Sequence, residues 1–187
     1  SQNRFFSSMS HEIRTPINTV LGLNEIILRQ EDASEEIRKD ARNIQGAGKL
    51  LLSLINDILD VSKIEAGKME LYESDYHLWE VLKDCEGYIS PIIEKNTRVK
   101  FVLNADKDMP EHLHGDSLRL KQVLTNLLSN AAKYTQNGSI TLSVTGNMVK
   151  DSKSGIILKF TVEDTGMGMR EGESAKIFEP FERANIV

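Results

Sequence analysis

Between Ile37 and Ile58, apolar or small residues recur at Ile37, Ala41, Ile44, Gly48, Leu51, Ile55 and Ile58, in an unbroken alternation of four and three. That spacing keeps one stripe of a helix turned toward a partner helix, so it excludes a strand and calls for a helical neighbour. The chain supplies one just upstream. Ile13, Ile17, Val20 and Ile27 share the period, and only the polar break Gln30-Glu31-Asp32-Ala33-Ser34 separates the two series. So short a connection makes the helices antiparallel, with Ser34 placed to cap the second. Leu21, Leu28, Leu50, Leu52, Leu54 and Leu59 lie beside the stripe and widen the apolar faces beyond what one hairpin buries. Residues 1–68 are therefore expected to form a helical hairpin that pairs with a second copy as a dimeric four-helix bundle.

Past Gly67 the pattern changes, and a break between domains is expected near residues 66–76. Glu70 to Tyr76 reads as a short strand or linker, Leu78 to Glu94 as a helix despite Gly87 and Pro91, and Arg98 to Leu103 as a strand. Asn104 to Gly115 reads as a loop leading to Asp116, the predicted N-cap of a helix over Ser117 to Tyr134. Gln136-Asn137-Gly138 signals a turn. Ile140, Leu142 and Val144, then Ile156, Leu158, Phe160 and Val162, alternate as two adjacent antiparallel strands do. The expected class is α+β, a hairpin followed over residues 69–187 by an α/β sandwich with helices on one face of a mixed sheet.

Composition narrows the function. A net charge of −5 argues against nucleic acid as a partner, because a phosphate-backbone binder carries a basic face. One cysteine, Cys85, allows neither an internal disulfide nor a thiolate metal site and points to a reducing, cytoplasmic setting. No apolar run spans a bilayer, so any membrane contact is expected only through parts of a parent protein outside this chain.

Three segments carry chemistry. In Ser10-His11-Glu12-Ile13-Arg14-Thr15-Pro16, a histidine sits one residue off the inward stripe and is expected to face solvent. A neutral imidazole nitrogen there is a nucleophile for phosphorus, and Glu12 is placed to handle its other proton. Pro16 crowds the carbonyl of Glu12 and should bend the helix beside His11. A plain surface histidine is the competing reading. Within the later helix, Asn126, Asn130 and Lys133 or Tyr134 share one face, while Leu124, Leu127, Leu128 and Ala131 are expected to point into a core. Asparagine oxygens suit Mg²⁺, Lys133 suits phosphate, and Tyr134 offers an aromatic surface to a base; a merely solvated face is the alternative. Third, Asp164-Thr165-Gly166-Met167-Gly168 follows an apolar strand. A carboxylate at a strand end accepts from the exocyclic amine of adenine, a contact that guanine does not offer, and Gly166 and Gly168 let backbone approach a ligand.

Together these segments resemble the sensor histidine kinases, including hybrid kinases. Ser10 to Pro16 looks like their H-box, Asn126 to Tyr134 their N-box, Asp164 to Gly168 their G1 box and Ile177 to Arg183 their F-box, in the family's order. Ile58 to Gly67 is similar to the family's second helix. The resemblance implies a dimeric phosphoacceptor bundle and an ATP-binding domain of the type shared with gyrase, the Hsp90 chaperones and MutL. It implies His11 as phosphoacceptor and Asn130 as the Mg²⁺ ligand, with Asn126 organising metal and phosphates. Lys133 and Tyr134 would then touch the nucleotide and Asp164 would select adenine. Phosphotransfer to an aspartate of a response regulator receiver domain would follow, with Glu12 and Thr15 as a phosphatase pair. Phe178 and Phe181 read equally well as core residues. A second glycine-rich box is expected beyond Val187, so the ATP-binding domain is expected to be truncated here. Two rivals remain: a gyrase-type ATPase, disfavoured by Asn126 where such enzymes need a glutamate, and a scaffold without activity.

Overall fold

The computed structural model describes residues 2–95, 98–106, 108–148 and 155–169, with side chains from Glu12 onward within those ranges. It divides into two compact units, Ser1–Glu70 and Leu71–Val187.

The first unit is a hairpin of two long helices, α1 (Gln2–Arg29) and α2 (Glu35–Glu65). Ser34 caps α2 as expected, its Oγ accepting the Ile37 amide at 3.3 Å. The connection is held by a residue that sequence reading passed over. Arg38 donates to the carbonyls of Leu28, Gln30, Glu31 and Ala33 and so gathers the end of α1 and the loop around one guanidinium. The helix runs through Pro16 to Arg29 as one element.

The inner seam differs from the expected stripe. On α2 the half-buried and buried positions include Arg38, Ala41, Gln45, Gly48, Leu52, Ile55, Leu59 and Ser62, again alternating three and four, with Asp60 and Val61 half-buried near the end. On α1 they include Arg14, Ile17, Leu21, Asn24 and Leu28. Ile37, Ile44, Leu51 and Ile58, four of the seven positions of the predicted stripe, remain exposed, as do Ile13 and Val20. The reason is geometric: a four-three series drawn through wide apolar faces fits two adjacent stripes equally well, and contact with α1 selects the one that joins Gln45, Leu52 and Leu59 to the shared Ala41, Gly48 and Ile55. A Cβ at Gly48 would stand 2.6 Å from Cδ2 of Leu21, so the two helices approach closely there. A polar pin lies in the same seam. Asn24 is 3% exposed and donates through Nδ2 to the Ala41 carbonyl at 2.7 Å, while its Oδ1 has no partner.

The second unit contains β1 (Ser74–His77), α3 (Leu78–Ile93), β2 (Val99–Ala105), β3 (His112–Gly115), α4 (Ser117–Tyr134), β4 (Gly138–Met148) and β5 (Ile156–Asp164). The main sheet is mixed, in the order β2-β4-β5, with β2 parallel and β5 antiparallel to β4. Its core joins Leu78, Val81, Leu82, Cys85 and Ile89 of α3 and Leu124, Leu128 and Ala131 of α4 to Ile140, Leu142 and Val144 of β4. These helical positions repeat at three and four, and the strand positions at two, as burial of one face requires. Gly87 is tolerated in α3 because it lies on the exposed side. Burial, chiefly, pushes the Cys85 thiol pKa up.

Two expectations are corrected. The segment read as a loop contains β3, which pairs antiparallel with β1 in a separate ribbon. Only Leu113 among its residues is inward and apolar, too little to declare a strand without sight of its partner Tyr76. Leu127 is 44% exposed rather than in the core, because the buried line of α4 runs Leu124, Leu128, Ala131 and leaves it at the margin. Asp116 does cap α4: its Oδ1 accepts the Arg119 amide at 2.9 Å, and its Oδ2 the Tyr72 amide at 3.0 Å. Those two amides, Arg119's first, hold its carboxyl below the usual range.

Candidate functional site

With Leu124, Leu128 and Ala131 buried, α4 must turn Asn126, Asn130 and Lys133 outward, and all three are exposed. They are offered to a ligand by default, since the opposite face is committed to the sheet. Tyr134 is half-buried, with the Lys133 ammonium over its ring at 5.0 Å.

Asp164 ends β5 directly beside the C-terminus of this helix. The approach is imposed by Gly166, where a Cβ would stand 2.5 Å from the Tyr134 carbonyl oxygen and 2.6 Å from Asp164 Oδ1. Met167 N donates to that same Tyr134 carbonyl at 3.4 Å. The turn 164–168 thus lies against the last residues of α4, Tyr134 and Thr135. Gly168 has φ +69°, a conformation that favours glycine.

The carboxylate of Asp164 is oriented. Its Oδ1 accepts the Gly166 amide at 2.8 Å and the Thr135 hydroxyl at 3.4 Å. Thr135 is 3% exposed and ends α4, its amide bonded to the Ala131 carbonyl at 3.0 Å. With Oδ1 engaged by two donors, Oδ2 is the oxygen left for a ligand's donor. Thr165 anchors the other side of the turn. Its Oγ1 accepts from Ser139 N at 3.0 Å and donates to the Asn137 carbonyl at 3.2 Å, while its own amide donates to Ser139 O at 3.1 Å. Gly138, with φ +114°, has no room for a Cβ against that hydroxyl. Sequence reading found neither threonine. Thr135 follows one recognisable segment and Thr165 lies inside another, but only the tertiary approach of β5 to the end of α4 and to β4 gives them partners.

These residues suit a magnesium nucleotide. The exposed asparagine pair supplies neutral oxygen ligands, Gly166 lets the turn pack against the Tyr134 carbonyl, and the oriented carboxylate is complementary to an amine at the base edge.

In the hairpin, His11 belongs to the helical backbone of α1, and its side chain lies outside the described residues. Glu12 and Thr15 are exposed one turn apart. The Thr15 carbonyl accepts the Thr19 hydroxyl at 3.0 Å. Nearby on α1, Arg14 donates to Asn56 of α2 at 2.9 Å. Residues Ile177 to Arg183 lie outside the described residues.

Comparison with known proteins accords with this arrangement. Residues 1–67 match the His Kinase A (phospho-acceptor) domain, and residues 115–186 match the histidine kinase-, DNA gyrase B- and HSP90-like ATPase. The chain belongs to the histidine kinases. It is 34% identical over 186 residues to the sensory/regulatory protein RpfC of Xanthomonas campestris pv. campestris, covering 100% of this chain and 25% of that protein. It is 37% identical over 181 residues to the autoinducer 2 sensor kinase/phosphatase LuxQ of Vibrio vulnificus, covering 97% of this chain and 21% of that one. The chain thus spans about a quarter or less of the length of such relatives. Among solved structures, full-length ShkA in complex with AMPPNP superposes with a TM-score of 0.76 at 28% identity, over 96% of this chain and 37% of ShkA. No helix among the described residues is long and apolar enough to cross a membrane.

Proposed function

We propose that this kinase core transfers the γ-phosphoryl group of ATP to His11 and passes it on to an aspartate of a response regulator receiver domain. Residues 1–68 serve as the dimerising phosphoacceptor unit and residues 69–187 as the nucleotide-binding unit. The observation that carries the reading is the approach of the Asp164 turn to the end of α4, which sets an oriented carboxylate at the end of the helix that carries Asn126, Asn130 and Lys133.

Asn130 holds Mg²⁺ and Asn126 organises metal and phosphates. Lys133 offsets phosphate charge, Tyr134 lies against the nucleotide, and Gly166 and Gly168 let backbone approach it. Asp164 takes the adenine amine on Oδ2, so ATP is selected over GTP. Bound Mg²⁺ supplies charge stabilisation to the transferring phosphoryl group. The chain's own part in the chemistry is positioning and proton handling. His11 attacks as neutral imidazole and Glu12 takes the proton from its other nitrogen. Glu12 and Thr15 then form the pair that removes phosphate from the partner, a reading favoured by the kinase/phosphatase name of LuxQ.

A second hairpin covers the exposed Ile37, Ile44, Leu51 and Ile58. A row of such side chains left in water is a large apolar face of the kind that closes on a symmetric copy.

The test is incubation with γ-labelled ATP and Mg²⁺, with wild type beside His11→Gln. Acid-labile, alkali-stable label that is absent from His11→Gln is expected. Label persisting in His11→Gln, or no label although ATP binds, would overturn the reading.

A further inference from the structure

The chain has four histidines, and three of them, His77, His112 and His114, stand on the short β1–β3 ribbon. Register places them together. His77 is directly opposite His112, and Asp75 directly opposite His114. Directly opposed residues of an antiparallel pair share a face, as do residues two apart along a strand, so all four side chains stand on one side. The alternate residues Tyr76 and Leu113 pack against the core, which turns the histidine face to solvent. His112, His114 and Asp75 are exposed and His77 is half-buried.

The side chains are already paired across the strands. The rings of His77 and His112 lie with centroids 4.3 Å apart at 57°. His114 Nδ1 and Asp75 Oδ1 are 2.7 Å apart. A carboxylate held to one ring nitrogen fixes the tautomer and leaves the other nitrogen as a lone-pair donor, the arrangement found behind metal-bound histidines. Among the described residues no three such groups yet converge on one point. Two imidazole nitrogens about 2.1 Å from one tetrahedral ion stand roughly 3.4 Å apart, and the His77 and His112 rings, with centroids 4.3 Å apart, are already neighbours on that scale.

We propose that this face of the β1–β3 ribbon binds a divalent transition-metal ion of the zinc class through His77, His112 and His114, with Asp75 orienting the His114 ring. Imidazole ligands select zinc, nickel or copper over the magnesium that suits the asparagines of α4, so the two sites differ in ligand chemistry. A bound ion ties β1 to β3, and β3 runs directly into Asp116, the cap of α4.

The test is calorimetric titration of the whole chain with ZnCl₂, without nucleotide and above neutral pH, because protons compete for the rings. One ion per chain is expected, with His77→Gln and His112→Gln each weakening binding at least tenfold and Asp75→Asn weakening it ten- to a hundredfold. A second measurement needs no substitution: Cu²⁺ or Ni²⁺ added in small amounts should broaden the ring proton NMR signals of His77, His112 and His114 before that of His11. No zinc uptake, uptake unchanged in the His77→Gln, His112→Gln double variant, or broadening confined to His11 would each show an ordinary polar surface and overturn the proposal.

Discussion

The hydroxyl of Thr135, at the buried end of α4, donates to Oδ1 of Asp164 at 3.4 Å, and the Gly166 amide donates to the same oxygen at 2.8 Å. The helix that presents the asparagines therefore also aims the carboxylate. Thr135→Val keeps the shape and removes one donor. We expect ATP affinity to fall several-fold and discrimination between ATP and GTP to narrow, with melting temperature little changed. Asp164→Asn replaces half the acceptor capacity and should weaken ATP binding by about ten- to a hundredfold, equivalent to ~1.4–2.8 kcal/mol. Equilibrium binding of labelled ATP and GTP separates the two effects.

Gly166→Ala places a methyl group against the Tyr134 carbonyl and Asp164 Oδ1, neither of which yields without moving backbone or the oriented carboxylate. The turn must lift from α4. ATP binding should be lost while the sheet and helices persist, so a far-ultraviolet spectrum like that of wild type with no measurable nucleotide binding is the expected pair of results. Retained affinity would mean that the turn is not part of the site.

Leu128 is fully buried, on the side of α4 opposite Asn126 and Asn130. Leu128→Ala should cost about 2–5 kcal/mol through lost burial and the cavity left behind. Urea denaturation of the second unit reads this directly as a lower midpoint.

Ile44 and Leu51 are 47% and 46% exposed on the free face of the hairpin. A lysine at either position leaves the α1–α2 seam untouched but puts a charge into the proposed dimer interface. Ile44→Lys and Leu51→Lys should therefore shift the protein from dimer to monomer in sedimentation measurements. Variants that stay dimeric at the same concentration would place the interface elsewhere.

Asp57 has its pKa raised from 3.8, first by partial burial and then by the neighbouring charge of Asp60. The folded chain thus holds this proton more tightly than the unfolded chain. The resulting stabilisation is complete below about 3.8 and disappears as pH rises through the folded pKa. Asp57→Asn should flatten that fall and leave the hairpin more stable at neutral pH, as read from thermal melts across the acid range.

Local features were legible in the sequence where they rest on local physics. The Ser34 and Asp116 caps, the bounds of α4, the antiparallel β4–β5 pair and the outward face of Asn126, Asn130 and Lys133 each follow from short-range spacing and capping chemistry. The candidate site was legible as a set of residues, since Asp164, Gly166 and Gly168 stood out by type and position. Their joint geometry was not legible. Thr135 and Thr165 look like ordinary turn residues until β5 meets the end of α4. β3 was hidden because a strand with one inward apolar residue is stabilised by its partner and not by its own pattern.

Periodicity thus determined that the first third is a pair of helices, but not which stripe they share. Ile37, Ala41, Ile44, Gly48, Leu51, Ile55 and Ile58 satisfy the period, yet only Ala41, Gly48 and Ile55 turn inward. A repeat read along one chain fixes angles about its own axis. The rotation of that axis against a neighbour is set by close packing, here by the lack of a side chain at Gly48 opposite Leu21 and by Asn24 reaching the Ala41 carbonyl. Tertiary contact alone chose the seam, and in choosing it left the second apolar face exposed.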